Sequence, residues 1–470
     1  MRKVLKFGGS SMASAAQYAK VKSIVEADPA RTVVVVSAAG KRTPEDHKVT
    51  DLLYLCHAHM RYGVSCDSVF SMISARYLEI RDDLGLSTDL ESELARIRDG
   101  LEDDISEDAL ASRGEYLSAR LMADYLGFDF VDATEWLRFR MDGTVDQEFS
   151  YAALQRLAEG RKIVIPGFYG LGADGNIRTF SRGGSDITGA LAAAALDAEI
   201  YENWTDVSGI LMADPRIVEN PEPIPRVTYA ELRELSYLGA QVLHEDTIFP
   251  VAEKNIPLNI RNTNDPTHPG TIIMERFDDD PDTDRRFITG IAGKKDFAVV
   301  SISKKGLSSE VGTMRKVFEV FETHGLAVEY TPNGIDTVCL VVSAKQLQKR
   351  SAAIVAGLQE ALKPDRIEIA DGIAIVAAVG RKMARRPGIA GKIFSALGDE
   401  GINIRLISQG PQEVNIIVGV DSRDFNAAVR VLYNKGRTDR IADDGEMPQA
   451  SRGPHGTHCR RGAQAGKRPH

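Results

Sequence analysis

Residues 3–11 read KVLKFGGSS and residues 32–37 read TVVVVS, and these two stretches decide the fold. Lys3–Phe7 is a short apolar run closed by Gly8-Gly9-Ser10-Ser11, which predicts a strand feeding a glycine turn. Ala16, Ala19, Val21, Ile24 and Val25 then recur at three- and four-residue intervals, the period of a helix with one buried face. Thr32–Ser37 is β-branched, as a strand buried on both faces would be. Strand, turn, helix and strand make a βαβ start, and hence an α/β fold whose mostly parallel central sheet carries helices on both faces. Further buried strands are expected at Lys162–Pro166 and Glu199–Asn203, with the Ala-rich helix Ile187–Leu196 between them.

The 470 residues allow roughly three domain-sized units. A hydrophobic fraction of 43 % excludes a mostly disordered chain. The net charge of −9 is spread along the sequence, so no nucleic-acid partner is expected. The longest apolar stretches, such as Ala190–Leu196, fall far short of the ~20 residues of a membrane helix. Arg2 and Lys3 imitate the start of a secretion signal, but Lys6 and Gly8-Gly9 interrupt any apolar core for one. Cys56, Cys66, Cys339 and Cys459 show no CxxC spacing, so neither a zinc site nor a disulfide framework is expected. A reducing cytoplasm is the default location.

Around Phe277–Arg286 the sequence turns to FDDDPDTDRR. The alternating Asp residues imitate a calcium loop, but the Gly and Glu such a loop needs are missing, and a solvated linker is expected. An internal repeat follows. A shift of 76 residues carries Gly312 onto Gly388, Lys316 onto Lys392, Phe318 onto Phe394, Gly325 onto Gly401 and Gly334 onto Gly410. The strands Ala298-Val299-Val300 and Val338–Val342 fall on Ala374-Ile375-Val376 and Val414–Val418. Two such small units are expected to pack on each other, since one alone has little core. The expected organisation is a catalytic domain over 1–276, an acidic linker over 277–287, repeat units over 288–367 and 368–435, and a disordered tail over 436–470. The tail histidines His455, His458 and His470, with Cys459, are read as unstructured rather than metal-binding.

Two constellations can carry chemistry. Ser181-Arg182-Gly183-Gly184-Ser185-Asp186 stands directly before the Ala-rich helix. Its glycines let backbone N–H groups face an anion at a helix N-terminus, and Arg182 offers a fork for a carboxylate or phosphate. The bland alternative is that Asp186 merely caps the helix. The second is Lys6-Phe7-Gly8-Gly9-Ser10-Ser11, which lacks the Walker-A spacing. A lysine inside a buried strand needs a partner, and a phosphate at the strand's carboxyl end would be one. Gly170-Leu171-Gly172-Ala173-Asp174-Gly175 matches GxGxxG literally but is followed by no helix, so a hairpin loop is expected. His57 and His59 fall on different faces of one helix, which disfavours a metal role.

KFGGSS at Lys6–Ser11, SRGE at Ser112–Glu115, SRGGSD at Ser181–Asp186, WTDVSGI at Trp204–Ile210 and ADPR at Ala213–Arg216 together resemble aspartate kinase, in order and spacing. The resemblance implies an amino-acid-kinase fold followed by two ACT-type βαββαβ units, covering all but the last ~35 residues. The absence of a following homoserine dehydrogenase module points to the monofunctional form. It implies transfer of a phosphoryl group from MgATP to the β-carboxylate of L-aspartate, the first step toward lysine, threonine and methionine. Residue by residue, Lys6 would meet the transferring phosphoryl group and, with Gly8, Gly9 and Ser10, line the phosphates. Thr50, Glu115, Arg182, Gly183, Gly184 and Ser185 would hold aspartate, with Asp186 completing the catalytic set beside Lys6 and Arg182. Thr205, Asp206, Leu211, Arg216, Gln241 and Val242 would hold nucleotide, Gln241 standing where relatives commonly carry Lys. No protein-bound metal beyond the Mg²⁺ of the nucleotide is implied.

This chemistry needs no general base, because an aspartate side chain with a pKa near ~3.9 is already ionised at neutral pH. It needs relief of anion–polyanion repulsion and in-line alignment, which Lys, Arg, backbone N–H groups and Mg²⁺ supply. Two other readings are a kinase for another carboxylate and a non-catalytic amino-acid sensor built on the repeat. The repeat itself and the order of SRGE and SRGGSD oppose the first; Lys6, Arg182 and Asp186 oppose the second. A small amino acid, L-lysine foremost, is expected to inhibit from the first ACT unit. The expected site is the turn and helix start at Ser308–Met314, including Glu310, Gly312, Thr313 and Met314, facing Glu329. Exposed sheet edges in the repeat predict a homodimer or larger assembly, and the resemblance implies that one ACT unit is inserted within the other, with Phe287–Ala292 supplying the outlying strand.

Overall fold

The computed structural model describes residues 2–438 apart from 103–104, 182, 240–242, 244–246, 278–285, 382, 384–386 and 411–413. The expected βαβ opening is present as β1 (Lys3–Phe7), a helix over Ala15–Glu26 and β2 (Arg31–Val36). Next come β3 (Asp129–Phe130), β4 (Ile163–Pro166), a hairpin of β5 (Tyr169–Leu171) and β6 (Ile177–Thr179), and β7 (Ile200–Thr205). A second hairpin, β8 (Ile210–Leu211) and β9 (Pro223–Ile224), precedes β10 (Arg226–Thr228), β11 (Leu258–Asn262) and β12 (Thr271–Met274). The main sheet runs β10-β12-β11-β7-β1-β2-β4-β3, parallel throughout except between β11 and β12.

Alternation along β1 sorts its side chains between the two faces. Leu5 and Phe7 enter the core built by the helices Ala15–Glu26, Asp67–Leu84 and Arg113–Leu126. Val4 enters the opposite core, which contains the Ala-rich helix Gly184–Ala195. Lys6 shares the face of Val4 and is therefore delivered beneath that helix's first turn. The alanines let helix and sheet approach closely, and Ala190 and Ala192–Ala195 are fully buried.

The repeat region holds one antiparallel sheet of β13 (Gly290–Ser303), β14 (Val328–Tyr330), β15 (Thr337–Ser343), β16 (Arg366–Val379), β17 (Ile404–Ser408) and β18 (Asn415–Asp421). Its order is β14-β15-β13-β16-β18-β17. The two long strands each serve both repeat units. Phe297–Ser303 pairs with β15 and with the first half of β16, whereas Gly290–Lys294 pairs with Ile375–Val379. The second unit is thus discontinuous, taking its outermost strand from Gly290–Lys294, and β16 runs straight through a contiguous division at 367/368. Two boundaries differ from the sequence reading for the same reason, burial of apolar side chains. Phe287 is packed in the core at 2 % exposure rather than belonging to a solvated linker. The helix Phe425–Thr438 continues past 435, with Gly436 buried against Ile288. The rest of the tail, including its histidines and Cys459, and most of the acidic linker lie outside the described residues.

Candidate active site

Four strands end at one edge of the main sheet, and short backbone links hold their exits together. Gly8 N–H donates to Trp204 O at 3.0 Å, Ser37 N–H to Phe7 O at 3.1 Å, and Gly167 N–H to Val36 O at 2.9 Å. The loop after β2 folds over the glycine turn, where Gly40 N–H donates to Gly9 O at 2.8 Å. A Cβ on Gly40 would come 2.6 Å from the Gly9 carbonyl carbon, and one on Gly9 would come 3.0 Å from Ala38 O. The two glycines let backbone meet backbone, leaving no side chain over the turn. This edge is where ligands bind in open α/β sheets.

Lys6 is 7 % exposed, and its ammonium pairs with Asp186 Oδ1 at 2.5 Å. Asn203, level with Lys6 on β7, donates Nδ2–H to the same oxygen at 3.0 Å. The buried lysine thus has a carboxylate partner within the protein. The cap of the Ala-rich helix is Gly183, left-handed at φ 58°, so Asp186 sits inside the first turn instead of capping it. That turn is pressed onto the exit of β4. A Cβ on Gly184 would meet the Phe168 ring at 2.6 Å, and one on Gly167 would meet Ser185 Oγ at 2.7 Å. Phe168 itself is held at φ 78°, a costly conformation for a bulky residue, with its N–H donating to Thr188 Oγ1 at 3.1 Å.

Glu115 enters from the start of the helix Arg113–Leu126. Gly114 permits this, since a Cβ there would lie 2.7 Å from the Ala38 methyl. Glu115 is 4 % exposed, and burial pushes its carboxyl up to about 8 against the opposing pull of the Ala38 N–H and the Lys6 charge. Its Oε2 is buried with no hydrogen-bond partner. Thr50 stands in the first turn of the helix Val49–Arg61, anchored by Val49 N–H to Ala39 O at 3.0 Å. Lys6, Gly8, Gly9, Ser10, Thr50, Glu115 and Gly183–Asp186 therefore belong to neighbouring strand and helix ends.

On the β7 side, Thr205 Oγ1–H donates to Asp206 at 3.1 Å. Leu211 lies in β8, and the exposed Arg216 folds back onto Asp214 at 2.6 Å. Arg182, Gln241 and Val242 lie outside the described residues. The GxGxxG match is the loop of the β5–β6 hairpin, as expected. Among the described residues, no group of three or more His, Cys, Asp or Glu side chains is arranged to hold a metal ion. No described helix is long and apolar enough to cross a membrane.

The residues of the expected effector site do not come together. Glu310 is flanked by Lys304 and by Lys316 at 3.2 Å, which hold its carboxyl below the usual range. Glu329 lies on β14, level with Ala298 and Val299 and several residues short of the turn after Ser303. It accepts instead from Tyr237 of the catalytic domain. Sequence reasoning also passed over Gly40, Asn203, Gly167 and Phe168. Asn203 carried a readable signal, a polar residue inside a buried strand like Lys6; the others are recognisable only once two loops are seen to touch.

An ammonium, a glycine turn and a helix N-terminus converge beside a buried carboxyl with one orphaned oxygen, as a site joining a phosphate donor to an amino acid requires. The chain belongs to the amino acid kinase family, whose model matches residues 1–262, and an ACT domain model matches 376–435. It is 37 % identical over 453 residues to aspartokinase 3 of Bacillus subtilis, spanning 92 % of this chain and 98 % of that one. The crystal structure of Clostridium acetobutylicum aspartate kinase matches with a TM-score of 0.85 at 47 % identity, over 92 % of this chain and 99 % of that one. That of E. coli aspartokinase III in complex with lysine and aspartate matches with a TM-score of 0.69 at 25 % identity, over 93 % and 99 %. The activity is that of an aspartate kinase, ATP-dependent phosphorylation of the aspartate β-carboxylate under allosteric control through ACT domains.

Proposed function

We propose that L-aspartate binds with its ammonium on Glu115 and a carboxylate on Arg182, while the ATP phosphates lie over Gly8, Gly9 and Ser10. The observation that carries this reading is the orphaned Glu115 Oε2, buried where an ammonium donor would satisfy it. Thr50 and the first turn at Gly183–Ser185 complete the aspartate side. Thr205, Asp206, Leu211, Arg216, Gln241 and Val242 frame the nucleotide. Lys6 hands its charge from Asp186 to the phosphoryl oxygens as negative charge builds in the transition state, and Asn203 keeps Asp186 hydrogen-bonded as it does so. The exposed Asp206 carboxylate beside Thr205 is an oxygen donor that would hold the Mg²⁺ of the nucleotide, which would neutralise phosphate charge. A coupled assay should show ADP release that depends on aspartate and Mg²⁺; release with glutamate but not aspartate would refute the substrate assignment.

The reaction serves lysine, threonine and methionine formation in the cytoplasm, and the chain works as a homodimer. Support for a dimer lies in the open edges β14 and β17 and in Val311 and Ile335, 98 % and 78 % exposed beside the first unit's turn. L-lysine is the proposed effector, with Glu329 on β14 taking an ammonium group; Glu310, held between Lys304 and Lys316, and Gly312–Met314 stand apart at the turn after β13. The relative crystallised with lysine and aspartate supports this choice. Lysine would displace Tyr237 from Glu329 and so bias the contact between the two halves, as an effector that distinguishes two states must. Glu329→Ala should raise the half-inhibitory lysine concentration about tenfold or more, the loss of one charge-assisted bond. An unchanged dose response removes Glu329 from the site.

A further inference from the structure

The three-residue segment Ala38–Gly40 touches three parts of the catalytic edge. Ala38 N–H reaches Glu115, Ala39 O accepts from Val49 at the head of the Thr50 helix, and Gly40 N–H holds Gly9 O. Its outer side is gripped by two adjacent residues of the helix Asp67–Leu84, Arg76 and Tyr77, both buried. Arg76 donates through Nη1 to Gly40 O at 2.9 Å, and its Nη2 bridges both oxygens of Asp46 at 2.7 Å. The Tyr77 hydroxyl donates to Gly114 O at 2.7 Å and accepts from Ala39 N–H at 3.3 Å, with Ser118 Oγ at 3.2 Å.

We propose that Arg76 and Tyr77 are positioning residues of the kinase, Arg76 setting the phosphate turn through Gly40 and Tyr77 setting the aspartate side through Ala39 and Gly114. The proposal rests on placing ATP at Gly9 and aspartate at Glu115. Neither residue lies at the sheet edge: Arg76 reaches Gly9 by way of Gly40, and Tyr77 holds Gly114, the chain neighbour of Glu115. A guanidinium suits the first task because its planar fork reaches a carbonyl and a carboxylate together, which a single ammonium cannot. A tyrosine suits the second because one buried hydroxyl can donate to one loop while accepting from another. The ion pair with Asp46 keeps the buried charge of Arg76 compensated, so it can be spent on a backbone carbonyl without a free partner nearby.

The division of labour gives a test that a purely structural role would not pass. Arg76→Lys should raise the KM for ATP about fivefold while changing the KM for aspartate less than about twofold, one hydrogen bond being lost on one side. Tyr77→Phe, which keeps the packing, should do the reverse. Steady-state KM and kcat for both substrates, with Tm measured on the same samples, separate the outcomes. Equal shifts in both KM values, or a lower Tm with unchanged kinetics, overturn the proposal. Gly9→Ala is the control for the site reading. If it leaves the KM for ATP unchanged, that reading falls and the positioning roles with it; if it raises that KM while Arg76→Lys is silent, the positioning role falls alone.

Discussion

Lys6→Met lowers kcat by about a hundredfold or more while the protein remains folded, the size expected when one preorganised electrostatic partner is removed from a transition state. The ammonium sits at 7 % exposure at the end of β1, where water cannot replace it. Methionine is close in length and apolar, so Val4, the Ala-rich helix and β7 keep their packing. The substitution leaves Asp186 without its ion pair, which in a dry site would cost several kcal/mol. Here the Asp186 side chain is 20 % exposed and keeps the Asn203 bond, so the loss is softened by solvent. Circular dichroism and Tm check the fold, and a coupled assay checks turnover. Near-normal kcat would make Lys6 a structural residue.

Glu115→Gln separates binding from stability, with opposite signs. Burial raises the Glu115 carboxyl to about 8, so the folded protein favours the neutral form. The stability held in that neutral form is fully present below the ordinary glutamate value near 4.5 and is lost as pH climbs through about 8. Glutamine cannot ionise, so the Tm of the variant should match wild type near pH 5 and exceed it increasingly toward pH 8.5. Each pKa unit of difference corresponds to ~1.4 kcal/mol at the upper limit. Aspartate binding runs the other way, because its ammonium needs the carboxylate. In the wild type the KM for aspartate should fall as pH rises from 6 to 8, with a proton released on binding at the lower pH. In Glu115→Gln the KM should rise roughly thirtyfold or more and lose that pH dependence, the cost of deleting one side of a buried charged contact. A flat Tm difference together with an unchanged KM would remove Glu115 from the aspartate site.

These two residues show where sequence and structure divide. Lys6 was legible because a charged residue in an apolar strand is expensive unless paired, and that cost can be read from one line of sequence. The βαβ opening was legible for a related reason: apolar period and glycine placement are local, and they dictate strand, turn and helix before any long-range contact forms. The 76-residue repeat likewise announced two similar regulatory units. What could not be read was which partner each group meets. A cap remained an alternative reading of Asp186 until Gly183, at φ 58°, took that position and left the carboxylate to Lys6. Glu329 and Glu310 stood near the same expected ligand, yet strand register sends one to Tyr237 and leaves the other between two lysines. The resemblance implied an outlying strand at Phe287–Ala292, but its register, Gly290–Lys294 against Ile375–Val379, was decided by strand pairing. The grip of Arg76 and Tyr77 on Ala38–Gly40 joins segments more than thirty residues apart and carries no motif. Composition and spacing determine what a segment becomes, because those energies are local; which buried donor finds which acceptor depends on register and loop approach, and these exist only once the chain has packed.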